Sequence, residues 1–132
     1  MFKKSLKLIK LTTLVKLKLN YPKKNKIAYY NYNNLNLLKT YINEKIVILD
    51  PLKEVYFFVL IKSFIKYPFQ NVMISYMRTF LEEVNPKYFF TFIDNDFKFY
   101  SLKKYFKDIL FISIQNGQRG GIVEKKNENN KF

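Results

Sequence analysis

The sequence predicts an α/β fold in which a parallel sheet of about four strands, in the order 2-1-3-4, carries helices on both faces. Three observations lead there. Residues 88–93 and 109–114 are apolar or aromatic runs interrupted by one hydroxyl residue each, Thr91 and Ser113. Neither run alternates as a half-exposed antiparallel strand does, so both read as strands covered on two faces. Between them Phe99, Leu102 and Phe106 recur at helical spacing while Lys98, Lys103, Lys104 and Lys107 point elsewhere, and Asp94, Asn95 or Asp96 can cap the start. Earlier in the chain, residues 26–30 (KIAYY) and 45–49 (KIVIL) enclose a run in which Leu35, Leu38 and Ile42 share one helical face. Strand, helix and parallel strand make a right-handed crossover, and the pattern occurs twice.

Taken in order, residues 1–20 (MFKKSLKLIKLTTLVKLKLN) mix two periods. Phe2, Leu6 and Ile9 fit a helical face, Leu8, Leu11 and Val15 fall nearly opposite, and residues 15–19 alternate like a strand; the segment is read as a helix. It belongs to a basic leader, residues 1–25, expected to be helical or partly disordered. Tyr21-Pro22 ends it, and the first strand follows. Residues 31–34 are turn chemistry before the first sheet helix. Asp50-Pro51 interrupts after the second strand. Residues 53–67 are apolar around most of a helical circumference, which predicts a helix buried against the sheet. Pro68 separates it from residues 69–84, where Val72, Met73, Tyr76, Met77 and Phe80 form a helical core stripe. Asn85-Pro86 stops that helix before the third strand. The domain proper spans 26–117, and residues 118–132, polar and without periodicity, are expected to form a disordered tail.

The 132 residues, 48% of them hydrophobic, suffice for one core. The formal charge of +14 comes almost wholly from lysine, Arg78 and Arg119 being the only arginines. Residues 1–43 hold no acid and contribute +10 of it, leaving +4 for the rest. That asymmetry suits attraction to an anionic membrane surface through residues 1–20. With neither cysteine nor histidine in the chain, disulfides, thiolate chemistry, zinc sites and histidine-based triads are excluded. No run of about 18 apolar residues occurs and the N-terminus lacks a clean apolar signal core, which points to the cytoplasm. The turn after the first strand, YNYNN, has no glycine, so it cannot let a pyrophosphate approach the backbone as a dinucleotide fingerprint does.

In the order 2-1-3-4 the crevice lies at the carboxyl ends of strands 1 and 3, where successive connections leave for opposite faces. The residues it selects are Asn31 and its turn, then Asp94, Asn95 and Asp96, with Gln115, Asn116 and Gly117 one strand further along.

The phrase FFTFIDNDFKFYSLKKYF followed by FISIQNGQR resembles the N-terminal half of a family of bacterial surface carbohydrate biosynthesis proteins, themselves similar to two-domain GT-B glycosyltransferases. The resemblance covers residues 26–119. It implies a Rossmann-like domain holding the acceptor, a sugar or a lipid-linked sugar, for polysaccharide or lipopolysaccharide assembly, peripheral on the inner face of the plasma membrane. Asp94 is then the candidate catalytic base, with Asn95, Asp96, Gln115, Asn116, Gly117 and Asn31 binding acceptor hydroxyls and Glu54 near the same cleft. The resemblance implies no cofactor and no metal, although Asp94 and Asp96 have Asp-x-Asp spacing. Family members continue into a second domain that binds the nucleotide-sugar, so this chain reads as a truncated or split product, inactive alone. The alternative is a small basic nucleic-acid-binding protein; against it, the aromatics fall on predicted core faces and no such motif is present.

Overall fold

The computed structural model describes residues 15–92 and 96–115. In chain order its elements are β1 (Lys16–Lys18), β2 (Ile27–Tyr30), α1 (Leu35–Tyr41), β3 (Ile46–Leu49), β4 (Glu54–Tyr56), α2 (Phe57–Lys66), α3 (Val72–Val84), β5 (Tyr88–Thr91), α4 (Phe97–Lys103) and β6 (Leu110–Ser113). The protein is an α/β fold with parallel sheets. The larger sheet runs β3-β2-β5-β6, every pair parallel, with β3 and β6 as its edges. A second sheet of two strands pairs β1 with β4, also parallel.

Helices lie on both faces of the larger sheet. On one, Ala28, Tyr30, Leu49 and Phe89 meet Met77, Phe80, Leu81 and Val84 of α3 and Phe99 and Leu102 of α4, all buried. Phe89 sits 5.1 Å from Phe99 and 5.3 Å from Phe111, ring centre to ring centre, and Tyr30 closes the group at 6.3 Å. These spacings are those of tilted and edge-on aromatic pairs, which add to the burial itself. On the other face α1 sets Leu35 and Leu38 against Tyr29. That face is thinner. Along β5 exposure alternates, with Phe89 and Thr91 buried and Tyr88 and Phe90 half-buried, so full cover on both faces, expected of residues 88–93, is realised on one face alone. The reason is supply: α1 is the sole helix among the described residues packed there.

Turn chemistry replaces glycine throughout. Asn31, Asn34 and Asn85 occupy left-handed backbone conformations at φ 74°, 56° and 50°, a region that asparagine tolerates better than other residues bearing a Cβ. Asn85 ends α3, while Asn71 begins it with a side chain that accepts from the N–H groups of Met73 and Ile74. The Asn25 amide donates to the carbonyls of Ile27 and Lys45, tying together the starts of β2 and β3.

Three expectations are corrected. Residues 15–20 are not helical: Lys16–Lys18 is a strand, because its two-residue alternation sets Lys18 beside Glu54 while β1 pairs with β4. The helix expected over residues 53–67 begins at Phe57; Glu54–Tyr56 is extended, and the Tyr56 N–H donates to the buried Tyr76 hydroxyl at 3.0 Å. Nor is α2 buried against the sheet. Since α3 and α4 occupy that face, α2 packs chiefly on α3 and buries only Val59 and Ser63. Most of the leader and the whole expected tail lie outside the described residues. Among those described, no helix is long and apolar enough to cross a membrane.

Lys62 and Lys66 of α2 pair with Glu83 and Glu82 of α3. Burial alone would raise the Glu82 carboxyl, but hydrogen bonds from Lys66 and Tyr67 outweigh it and hold the group below its ordinary value of 4.5. A depressed folded value stabilises the fold above the unfolded value and ceases to do so as pH falls through the folded one. Urea midpoints should therefore drop as pH is lowered from 5 through 4, and Glu82→Gln should remove that part of the dependence; an unchanged profile in the variant would show the pairing to be inert. In the core, Phe89→Ala should cost about 3–5 kcal/mol by chemical denaturation, against about 0.5 kcal/mol or less for Ile65→Ser on the outer face of α2.

Candidate functional site

The two connections that leave β2 and β5 diverge, α1 to one face of the larger sheet and α4 to the other. Their divergence opens a crevice at the carboxyl ends of those strands, the usual place for a ligand in an open parallel sheet. Across it the Tyr30 hydroxyl, at the end of β2, donates to Asp96 Oδ2 at 2.9 Å. The other oxygen of Asp96 accepts from the Lys98 N–H at 2.7 Å and caps α4. Asp50 follows β3 directly and is buried; its Oδ1 accepts from the Leu52 N–H, and its carbonyl from the N–H groups of Lys53 and Glu54. Burial drives the Tyr30 phenol well above its ordinary pKa, and the bond to Asp96 and the charges of Asp96 and Asp50 push the same way. Tyr30 is thus held as a neutral donor to Asp96.

Beside the crevice the second sheet builds a cleft against the outer edge of β3, about 340 Å³ and open to solvent, with Lys18, Tyr32, Glu54 and Tyr56 in its wall. Lys18 Nζ lies 2.8 Å from Glu54 Oε2 and 4.9 Å from the centre of the Tyr56 ring. Burial would lower the Lys18 ammonium, but Glu54 and Tyr56 more than offset it and raise its pKa. Tyr32 reaches the cleft from the turn after β2. Its phenol is raised first by burial and then by Glu54, and the Lys53 ammonium stands 4.8 Å over its ring. The volume lies at the low end of small-molecule sites. Its wall offers the Glu54 carboxylate, the ammonium groups of Lys18 and Lys23 and three flat rings, Tyr21, Tyr32 and Tyr56.

Of the residues expected at the site, Asp96 stands at the crevice, bonded as described. Asn31 is there too, but committed to the turn: its N–H donates to the Leu49 carbonyl at 2.9 Å and its Oδ1 accepts from the Asn33 N–H. Gln115 is exposed beyond the end of β6. Asp94, Asn95, Asn116 and Gly117 lie outside the described residues. Glu54 is in the cleft wall. Sequence reasoning missed Tyr30, Asp50, Lys18 and Tyr56, and included Tyr32 only as part of the turn 31–34; an acid directly after a β-branched strand was a usable signal for Asp50, whereas Lys18 meets Glu54 only through a strand pairing 38 residues apart from Lys18 to Tyr56. Among the described residues no group of three or more His, Cys, Asp or Glu could hold a metal ion.

No protein-family model matches the chain, and no curated protein or solved structure is significantly similar to it.

Removing the hydroxyl that spans the crevice tests whether it joins the two connections. Tyr30→Phe keeps the ring packed on Phe89 and Phe99 but leaves Asp96 one donor short; it should cost about 1–2 kcal/mol by chemical denaturation. No loss would mean that the bond contributes nothing across the crevice.

Proposed function

We propose that the chain binds the hydroxyl groups of a sugar-bearing acceptor in the cleft along the outer edge of β3 and the crevice beside it, as the acceptor-side domain of a glycosyltransferase-like protein in bacterial surface polysaccharide or lipopolysaccharide assembly. The observation that carries this reading is the cleft wall of Lys18, Tyr32, Glu54 and Tyr56, next to the crevice held by Tyr30 and Asp96. A carboxylate accepts from vicinal hydroxyls, an ammonium donates to them, and a phenol does either. The tyrosine rings offer flat apolar faces for the C–H side of a pyranose. Asp94, two residues before Asp96, is the candidate base that takes the proton of the attacking acceptor hydroxyl, and Asn95, Asn116, Gly117 and Gln115 are candidates for orienting the acceptor.

A nucleotide-sugar donor finds little in the described residues. They contain no glycine, and the turn after β2 places asparagine at its two left-handed positions, Asn31 and Asn34. A Cβ there keeps a pyrophosphate away from the backbone. On this reading the donor is held by another domain, and the residues here recognise the acceptor alone.

Titrating the full chain with neutral hexoses, hexosamines and short oligosaccharides, followed by amide NMR, tests the reading. Shifts should concentrate at Lys18, Tyr32 and Glu54, with dissociation constants of about 1 mM, and Glu54→Gln should weaken them about tenfold. Silence at those amides with every sugar would overturn the reading. So would tight binding of single-stranded oligonucleotide at the same amides that falls steeply with salt, the behaviour of a basic nucleic-acid-binding protein.

A further inference from the structure

Helix α2 carries its largest side chains on the outside. Its buried stripe is Val59 and Ser63, with Leu60 beside them. The opposite arc holds Phe57, Phe58, Ile61, Phe64 and Ile65, spaced i, i+1, i+4, i+7 and i+8, with exposures running from 36% for Phe57 to 77% for Ile65. That spacing is the signature of a helix face built to be covered. Here it faces away from the domain. Tyr21, half exposed, stacks on Phe58 at 5.7 Å and extends the apolar surface beyond the helix. Such a contiguous patch marks an interaction surface, whereas singly scattered apolar residues do not.

The charge around the patch says what covers it. Lys62 and Lys66, each paired with a glutamate of α3, border the strip formed by Tyr21, Phe58, Ile61 and Ile65. Two and three residues beyond Tyr21, Lys23 and Lys24 are exposed and have no ion pair among the described residues. The whole chain is at +14. A second copy would bring an equal positive charge face to face with this one, so self-association is opposed. An occupant must instead be negative at its surface and apolar beneath it. We infer that the outer face of α2, extended by Tyr21, docks on an anionic lipid bilayer, with Phe57, Phe58, Ile61, Phe64 and Ile65 entering the headgroup and acyl boundary and Lys23 and Lys24 meeting lipid phosphates.

The geometry fits that use. A helix of ten residues is about 15 Å long and lies in the interfacial plane without spanning it. Phenylalanine and isoleucine supply the buried area, and the lysine ammoniums stay level with the headgroups. The helix lies outside the basic leader, whose last residues add Tyr21, Lys23 and Lys24 to this surface, and the inference does not rest on the sugar-binding reading.

The chain has no cysteine, so Ile65→Cys in the full chain accepts an environment-sensitive fluorophore at one place. Vesicles of phosphatidylcholine mixed with phosphatidylglycerol should shift its emission to the blue and carry the protein down on sedimentation, while pure phosphatidylcholine vesicles should do so about tenfold less well. The unlabelled double variant Phe58→Ser with Ile61→Ser should lose about tenfold in vesicle partitioning at unchanged circular dichroism. Should that variant fail to fold, Ile65→Ser, at an exposed position, should still lose about threefold. The inference is overturned if vesicles sediment the protein while the label at position 65 stays in water, since binding then belongs to another surface. It also falls if no vesicle binds, or if the label shifts without vesicles in a manner that depends on protein concentration, which would make the occupant a second copy.

Discussion

Phe89 is where the fold is joined. It is fully buried at the centre of the larger sheet, and its ring touches one residue from each neighbour that matters: Phe99 on α4, Phe111 on β6 and Tyr30 on β2. Those contacts fix how β5 sits between β2 and β6, and they fix where α4 starts. Tyr30 then carries the packing into chemistry. Its ring belongs to the aromatic cluster while its hydroxyl reaches Asp96, so the crevice at the end of the sheet is bridged by the same side chain that helps to close the core. A dry, aromatic environment and the charges of two carboxylates keep that phenol protonated.

How far the sequence reveals this depends on the range over which each feature is written. The long strands and helices announce themselves locally: β-branched and aromatic runs flanked by asparagine, aspartate and proline cannot easily be anything else, and α/β architecture follows from their alternation. The start of helix α4 was legible down to its cap, since Asp96 is among the three residues that could supply it, but Phe106, expected on its stripe, lies beyond its end at Lys103. The small sheet was not. Lys16–Lys18 and Glu54–Tyr56 are three residues each, too short for periodicity to decide, and their extended state is settled by pairing with each other. The cleft inherits that illegibility, because Lys18, Glu54 and Tyr56 all lie on those strands.

The outer arc of α2 shows the complementary difficulty. Its composition is that of a core helix, and sequence alone assigns it to the core. What displaces it is competition: α3 and α4 already fill the sheet face beneath, and α2 packs chiefly on α3, where Lys62 and Lys66 pair with Glu83 and Glu82. Hydrophobicity states that a face wants cover. Which face is left wanting is decided only when all elements have been placed.

The edge strands β3 and β6 have a consequence for handling the protein. Beyond the cleft, β6 offers a row of backbone N–H and C=O groups with no strand beside them among the described residues, and Leu110 on it is more than half exposed. A strand edge left without a neighbour templates cross-β stacking between chains. Lysine repulsion restrains it, Lys103, Lys104 and Lys107 lying just before the strand. Electrolyte weakens such repulsion over distances beyond the Debye length, about 8 Å at physiological strength. Concentrated stocks are thus colloidally safest in dilute buffer, and fibril growth on addition of salt would start at this edge.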